Sequence, residues 1–330
     1  MDLLEKIKKH DLKGRGGAGF SVYNKWKLVL KEKGKEKYLI INGAEGEPGV
    51  KKDEYIIKHY TKELVAGIEL VLNYIKAKKC ILFLNHDYKK YGEKIKKYIY
   101  NTNIEIVYKS KNAGYVAGEE STMLNILENK RSEPRIRPPF PTESGYKESP
   151  TLIHNIETIY NIYLVFHGKY KENRFYTING EVKNPGVYNL PANYTIARIL
   201  EETNNFPLFK FFVQHGGQAS GEIINSSQLK KQASGCGAIT IYSYKNNSDF
   251  KLIKNLINFY FNNSCGKCTP CREGTYRLKE MFSGEKMNWP HFLELIDNLE
   301  DSSFCALGSS LATPVKSYIK NVNPDFKLKL

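Results

Sequence analysis

KYLIIN at residues 37–42, TKELVAGIELVLNYIKAKK at 61–79 and CILFLN at 80–85 together decide the fold. The first and last are short apolar runs. Between them Leu64, Val65, Ile68, Val71, Leu72 and Ile75 recur at helical spacing and form one stripe. A Tyr/Lys-rich helix and a third strand, IEIVYK at 104–109, continue the alternation. Strands that alternate with such helices build a largely parallel sheet covered on both faces, and ligands of these sheets sit beyond the carboxyl ends of the strands. Two Gly- and Glu-rich loops fall there: NGAEGEPG (42–49) after the first strand and NAGYVAGEEST (112–122) after the third.

After HGKYKENR (167–174) the pattern changes. FYTINGEVKNPGVYNL (175–190) reads as two strands around Asn-Pro-Gly, YTIARILEE (194–202) as a short helix, and FKFFVQHGG (209–217) and AITIYSY (238–244) as further strands. From Phe250 the strands stop, and Leu252, Ile253, Leu256, Ile257 and Tyr260 take up helical spacing, with more helices expected near 276–282, 290–299 and 314–322. The expected division is an α/β domain over 1–169, a small β-rich domain over 170–245 and a helical domain over 246–330.

The chain of 330 residues is 41% hydrophobic and 26% charged, a globular composition with room for several domains. MDLLEKIKKHDLKG at the start is amphipathic and charged, unlike a signal peptide, and no apolar run approaches the length of a membrane span. A net charge of +15 suits an acidic partner, but lysines are spread along the chain with both signs interleaved, as in KEKGKEK (31–37), so a nucleic-acid stripe is not indicated. The six cysteines do not form a secreted disulfide pattern, which points to a reducing, cytoplasmic compartment.

SCGKCTPCREG (264–274) places Cys265, Cys268 and Cys271 three residues apart, and Cys305 in CALG supplies a distant fourth thiol. Zinc sites usually use two separated Cys-x-x-Cys knuckles, whereas three close thiolates and one remote one are a common way to hold a 4Fe-4S cluster. Cys80 and Cys236 have no partner at ligand spacing and read as small buried residues.

GRGGAGF (14–20) satisfies G-x-G-x-x-G, but the apolar positions Leu3, Leu4, Ile7 and Leu12 before it predict a helix, not the strand that a dinucleotide fingerprint requires. Its glycines still let backbone N–H groups approach a phosphate-bearing cofactor closely. Glu45, Glu47, Glu119 and Glu120 are expected near the same sheet edge, where carboxylates accept bonds from ribose hydroxyls or a carboxamide. Singly, Glu119 reads better as a carboxylate that starts a helix.

In order, GRGGAGF, INGAEGEPG, YVAGEEST, PRIRPPFP, PTLIHNIET, SCGKCTPCREG and CALG resemble the NADH-oxidising flavoprotein subunit of respiratory complex I and its relatives in soluble NAD-linked hydrogenases and formate dehydrogenases. The resemblance implies a Rossmann-like FMN and NADH domain, a β-grasp domain of the soluble-ligand-binding type and a helical bundle that holds one 4Fe-4S cluster. Carried over by motif, Gly14, Arg15, Gly16, Gly17, Ala18, Gly19 and Lys25 line FMN, with Asn42, Tyr115, Gly118, Glu119 and Asn155. Phe20 and Phe140 flank the NADH adenine, Glu47 and Glu120 accept bonds from the dinucleotide, Glu45 is counted among the cofactor-binding residues, and Arg137 stands where a Lys is common. The implied chemistry is hydride transfer from NAD(P)H to FMN, then single electrons to the cluster at Cys265, Cys268, Cys271 and Cys305, with no general acid or base required.

The departures are Ala44 where the family usually has Asp, Leu28 where an aromatic is common and His154 where Asn is common. Ala44 makes the loop resemble that of the C subunit of Rnf-type complexes. Two other readings therefore stand beside the first: a flavin and iron–sulfur subunit that exchanges electrons with ferredoxin, and a scaffold without dinucleotide binding. The implied partners are a thioredoxin-like 2Fe-2S subunit and a larger iron–sulfur or hydrogenase subunit. The implied location is the cytoplasm, with contact to the inner face of the membrane only through a complex.

Overall fold

Leu39, Ile40 and Ile41 are fully buried on alternate sides of one strand, so both faces of its sheet are covered. The computed structural model describes residues 2–247, 249–283 and 287–323; residues 248, 284–286 and 324–330 of the expected helical segment lie outside the described residues. Contacts gather the chain into two units, one of residues up to Gly46 with Lys51–Asn173 and one of Glu47–Val50 with the chain from Arg174 onward.

The first unit runs α1 (Leu3–Lys9), α2 (Val22–Lys31), β1 (Tyr38–Gly43), α3 (Lys52–His59), α4 (Thr61–Tyr74), β2 (Lys79–Leu84), α5 (Gly92–Ile99), β3 (Ile104–Tyr108), α6 (Glu120–Leu127), β4 (Thr151–Asn155) and α7 (Ile156–Phe166). Its sheet has the order β3-β2-β1-β4, and all three pairings are parallel. Ile40, Ile81, Phe83 and Ile153 pack with Met123 and Leu124 of α6 on one face. The stripe of α4 foreseen from the sequence is buried throughout, from Leu64 to Ile75.

Strand β4 and helix α3 were not legible in the pattern. TLIHN is only five residues long and ends in two polar side chains. His154 is nonetheless 4% exposed, because Trp26 Nε1–H donates to its Nε2 at 2.8 Å. Burial holds that imidazole well below its usual pKa and therefore neutral, as an acceptor must be.

The second unit contains β5 (Asn173–Gly180), β6 (Gly186–Pro191), α8 (Ile196–Glu202), β7 (Phe211–His215), β8 (Glu222–Asn225) and β9 (Ala238–Ser243). The sheet order is β6-β5-β9-β7-β8, with β5 parallel to β9 and β7 antiparallel to both its neighbours. Ile196, Ile199 and Leu200 of α8 pack with Tyr176, Ile178, Val213, Ile239 and Ile241, which is the β-rich unit with one helix that the sequence indicates. The four-residue β8 was too short to read.

Helices α9 (Asp249–Asn263), α10 (Thr269–Met281), α11 (Trp289–Ser302), α12 (Ala306–Ser310) and α13 (Ala312–Asn321) follow. Leu252, Ile253, Leu256, Ile257 and Tyr260 form the buried side of α9, as their spacing requires. Among the described residues no helix is long and apolar enough to cross a membrane.

Candidate functional site

The glycine loop is closed at its neck by Gly14 N–H to the Phe20 carbonyl at 2.8 Å and by an antiparallel bridge between Lys13 and Ser21. A second tie fixes it to the start of α7: the Arg15 N–H donates to Thr158 Oγ1 at 2.9 Å, and Gly16 lies against Asn155, a Cβ built there meeting the Asn155 Cβ at 3.5 Å. Asn155 caps α7. Glycines are thus presented beside a helix N-terminus, where backbone N–H groups and the helix dipole favour an anion. Gly17 and Gly19 have φ of +120° and +64°, and nothing lies within 4 Å of a Cβ built on either. Arg15 Nε is buried without a partner. An open glycine surface, an orphaned guanidinium nitrogen and a helix start fit a phosphate-bearing flavin.

Two further loops reach this edge of the first unit. Asn42 Nδ2 donates to the Gly118 carbonyl at 2.8 Å, which joins the loop after β1 to the turn at Tyr115–Gly118. Lys25 of α2 pairs with Glu120 at the start of α6. Glu119 caps α6, accepting from the Ser121 and Thr122 N–H groups at 3.1 and 2.8 Å, and it also pairs with Arg137. This is the helix-start role that its position suggested. Ala18 is exposed on the glycine loop, and Phe20 and Phe140 expose about half of their surface, 52% and 51%.

Glu45 and Glu47 are engaged within the protein. Glu45 accepts from the Asp53 and Glu54 N–H groups at 2.7 and 3.1 Å and from the Tyr88 hydroxyl. Burial, with Asp53 beside it, pushes its carboxyl up to about 7. Glu47 belongs to the second unit, where its Oε1 accepts from Ala219 N–H at 2.9 Å and Ser220 N–H at 3.3 Å.

A buried charge network beneath the glycine loop escaped the sequence reading. Lys52 Nζ lies 2.7 Å from Asp53 Oδ1, 2.9 Å from Asn155 Oδ1 and 3.3 Å from Glu157 Oε2, and Asn155 Nδ2 donates to Asp53 at 2.7 Å. Lys52, Asp53 and Glu157 are each at most 2% exposed. Burial alone pulls a lysine pKa down; here the carboxylates of Asp53, Glu157 and Glu45 outweigh it and hold Lys52 above its ordinary value. Nothing in KKDE marks these residues as internal, since such charges are ordinarily exposed.

The second unit carries the four thiols. Cys268 caps α10, Cys271 lies in its first turn and Cys305 caps α12. Gly308 permits the approach of the two segments, because a Cβ there would lie 2.2 Å from Ser303 Oγ and 3.2 Å from the Cys271 Cβ. Burial raises the Cys271 thiol to about 11; the Ser264 hydroxyl, 3.4 Å away, opposes the rise, and Cys268, Cys305 and Cys265 add to it. Cys305 is raised for the same first reason, against the N–H groups of Leu307 and Gly308. Cys265 and Cys268 thus lie near enough to act electrostatically on both Cys271 and Cys305, and among the described residues no three His, Cys, Asp or Glu side chains converge on the position of a single ion. Four soft thiol donors from two segments, three of them close in sequence, suit an iron–sulfur cluster. Cys80 is buried as expected. Cys236 is not: it lies half-buried in a glycine-rich turn, its Sγ 2.7 Å from the Gly216 carbonyl.

Two family models match separate parts of the chain. Residues 7–164 match the Nuo51 FMN-binding domain, and residues 251–329 match the NADH-ubiquinone oxidoreductase-F iron–sulfur binding region. The F subunit of NADH-quinone oxidoreductase from Aquifex aeolicus is 29% identical, over 93% of this chain and 81% of its own. An NAD+-reducing [NiFe]-hydrogenase in the H2-reduced state superposes with a TM-score of 0.92 at 26% identity; the match covers 99% of this chain and 62% of the hydrogenase chain. The F 2 subunit of NADH-quinone oxidoreductase from Rhizobium meliloti is 30% identical over 98% of this chain and 88% of its own. The chain belongs to the family of NADH-quinone oxidoreductase F subunits.

Proposed function

We propose that this chain is the electron-input subunit of a multisubunit oxidoreductase. The glycine loop and the α7 start would hold FMN, which would supply the two-electron chemistry of hydride acceptance from NAD(P)H, and Cys265, Cys268, Cys271 and Cys305 would hold a 4Fe-4S cluster, which would supply one-electron chemistry. The observation that carries this reading is the gathering of Cys265, Cys268, Cys271 and Cys305 in one chain with a glycine loop tied to a helix start. Gly14, Arg15, Gly16, Gly17, Ala18, Gly19, Lys25, Asn42, Tyr115, Gly118, Glu119 and Asn155 would line the flavin, the glycine loop and the α7 start being suited to its phosphate. The exposed rings of Phe20 and Phe140 offer stacking surface to the adenine, Arg137 and Glu120 position the dinucleotide, and Glu45 fixes the loop after β1 by holding the Asp53 and Glu54 N–H groups. None of these residues transfers a proton in the hydride step; their work is placement.

In this reading the second unit consists of a β-grasp domain to residue 245 and the cluster-bearing helices from 246. The electrons leave to a thioredoxin-like 2Fe-2S subunit and a larger iron–sulfur or hydrogenase subunit. Anaerobically purified chain should contain flavin, iron and sulfide and should lose its flavin absorbance on addition of NADH. Reduction by ferredoxin alone would favour the ferredoxin reading, for which Ala44 and the +15 charge speak. Flavin content without reduction by any donor would leave only a scaffold.

A further inference from the structure

Lys109 follows β3 at the carboxyl edge of the first unit's sheet, its N–H continuing the ladder to the Leu84 carbonyl at 2.8 Å. Its residue is only 9% exposed. The amine has one hydrogen bond, to the Gly114 carbonyl at the outer limit of 3.5 Å, and no carboxylate within ion-pair distance among the described residues. It lies 3.8 Å from a Cβ built on Gly46, a position also 3.4 Å from the Tyr115 carbonyl, so it sits between the two loops that close over the sheet edge. Burial pulls its pKa down, and Asp87, on the segment 86–91, opposes this. A buried cation so poorly paired is costly unless a ligand completes it.

Which part of a ligand meets it follows from the strand order. The glycine loop and the α7 N-terminus, where a phosphate belongs, stand at β4; Lys109 follows β3, three strand spacings or about 14 Å along the same edge, and its amine reaches back to the loop after β1. A flavin whose phosphate was held at the first position would have its ring within reach of that amine if it lay along this edge.

We propose that Lys109 is a cofactor-tuning residue whose ammonium stabilises the reduced isoalloxazine of bound FMN. This rests on the function proposed above. Hydride transfer moves two electrons and one proton from NADH to the flavin, leaves NAD+, and adds one negative charge to the ring. A fixed positive charge beside that ring favours the reduced form selectively. With Ala44 in place of the usual carboxylate, nothing at that position cancels it.

The test is the two-electron midpoint potential of FMN in the full-length, anaerobically purified chain, measured for wild type, Lys109→Met, Lys109→Gln and Lys109→Arg, with Kd values for oxidised FMN and riboflavin. The neutral variants should lower the preference for reduced over oxidised flavin about tenfold, a shift of roughly 30 mV toward negative potential. Lys109→Arg should stay near wild type, and oxidised FMN should bind the neutral variants almost as before. Unchanged potentials in flavin-loaded Met and Gln variants overturn the proposal. So does a loss of affinity for oxidised FMN without one for riboflavin, which would place the amine on the phosphate. A wild-type chain that binds no FMN at all removes the proposed function as well.

Discussion

Asn42 Nδ2 and the Gly118 carbonyl, 2.8 Å apart, tie the loop after β1 to the loop after β3. Asn42 Oδ1 also accepts from the Ala44 N–H at 3.2 Å, so one amide sets both strand-end loops. Asn42→Asp keeps the acceptor and loses the donor. It should destabilise the chain by about 1–3 kcal/mol, the cost of a part-buried carbonyl left without its partner, and release FMN roughly tenfold more readily. Urea unfolding and flavin content after gel filtration measure the two effects.

Glu45 is expected to make stability depend on pH. Its folded pKa, raised from 4.5 to about 7 by burial and by Asp53, means that the folded chain holds a proton the unfolded chain has released in that interval. Its contribution is therefore present below about 4.5 and lost as pH rises through 7, with a slope of at most about 1.4 kcal/mol per pH unit for one proton. Glu45→Gln should flatten the wild-type decline over this window, as read from denaturant midpoints at each pH. An identical slope in both proteins would contradict the assignment.

Gly17→Ala separates binding from folding. At φ +120° a side chain is strained, but the space around it is open, so the stability loss should be small, about 1–2 kcal/mol. The added methyl projects from the surface offered to the cofactor, and FMN affinity should fall at least tenfold. Calorimetry of the apo chain and flavin titration distinguish the two.

Cys305→Ser removes the one thiol that comes from a separate segment. Iron per chain should fall several-fold while FMN content stays at the wild-type level, since the proposed flavin residues all lie in the first unit. Metal and flavin analysis of the same sample checks both halves. Equal iron in wild type and variant would exclude Cys305 as a ligand.

The alternation of strands with an amphipathic α4 was legible because hydrophobic period reports burial directly, and the Cys spacing was legible because three thiols at that interval have few other uses. Strand β4 was missed because its second half, His154 and Asn155, is polar, and β8 because its four residues hold only two apolar ones. The ring of Lys52, Asp53 and Glu157 was missed for a different reason: each charge is tolerated inside only because the others are there, and no single position signals that. Glu47 carries a role that its motif does not announce: its carboxylate holds the Ala219 and Ser220 N–H groups.

The most direct test of electron entry through flavin and cluster is a stepwise anaerobic titration of the purified chain with NADH, followed by optical and electron paramagnetic resonance spectroscopy. The flavin absorbance should bleach, and a signal from one reduced 4Fe-4S cluster should grow with it and be lost in Cys305→Ser. A chain that carries zinc in place of iron and sulfide, or whose bound flavin and cluster both stay oxidised with excess NADH, would contradict it.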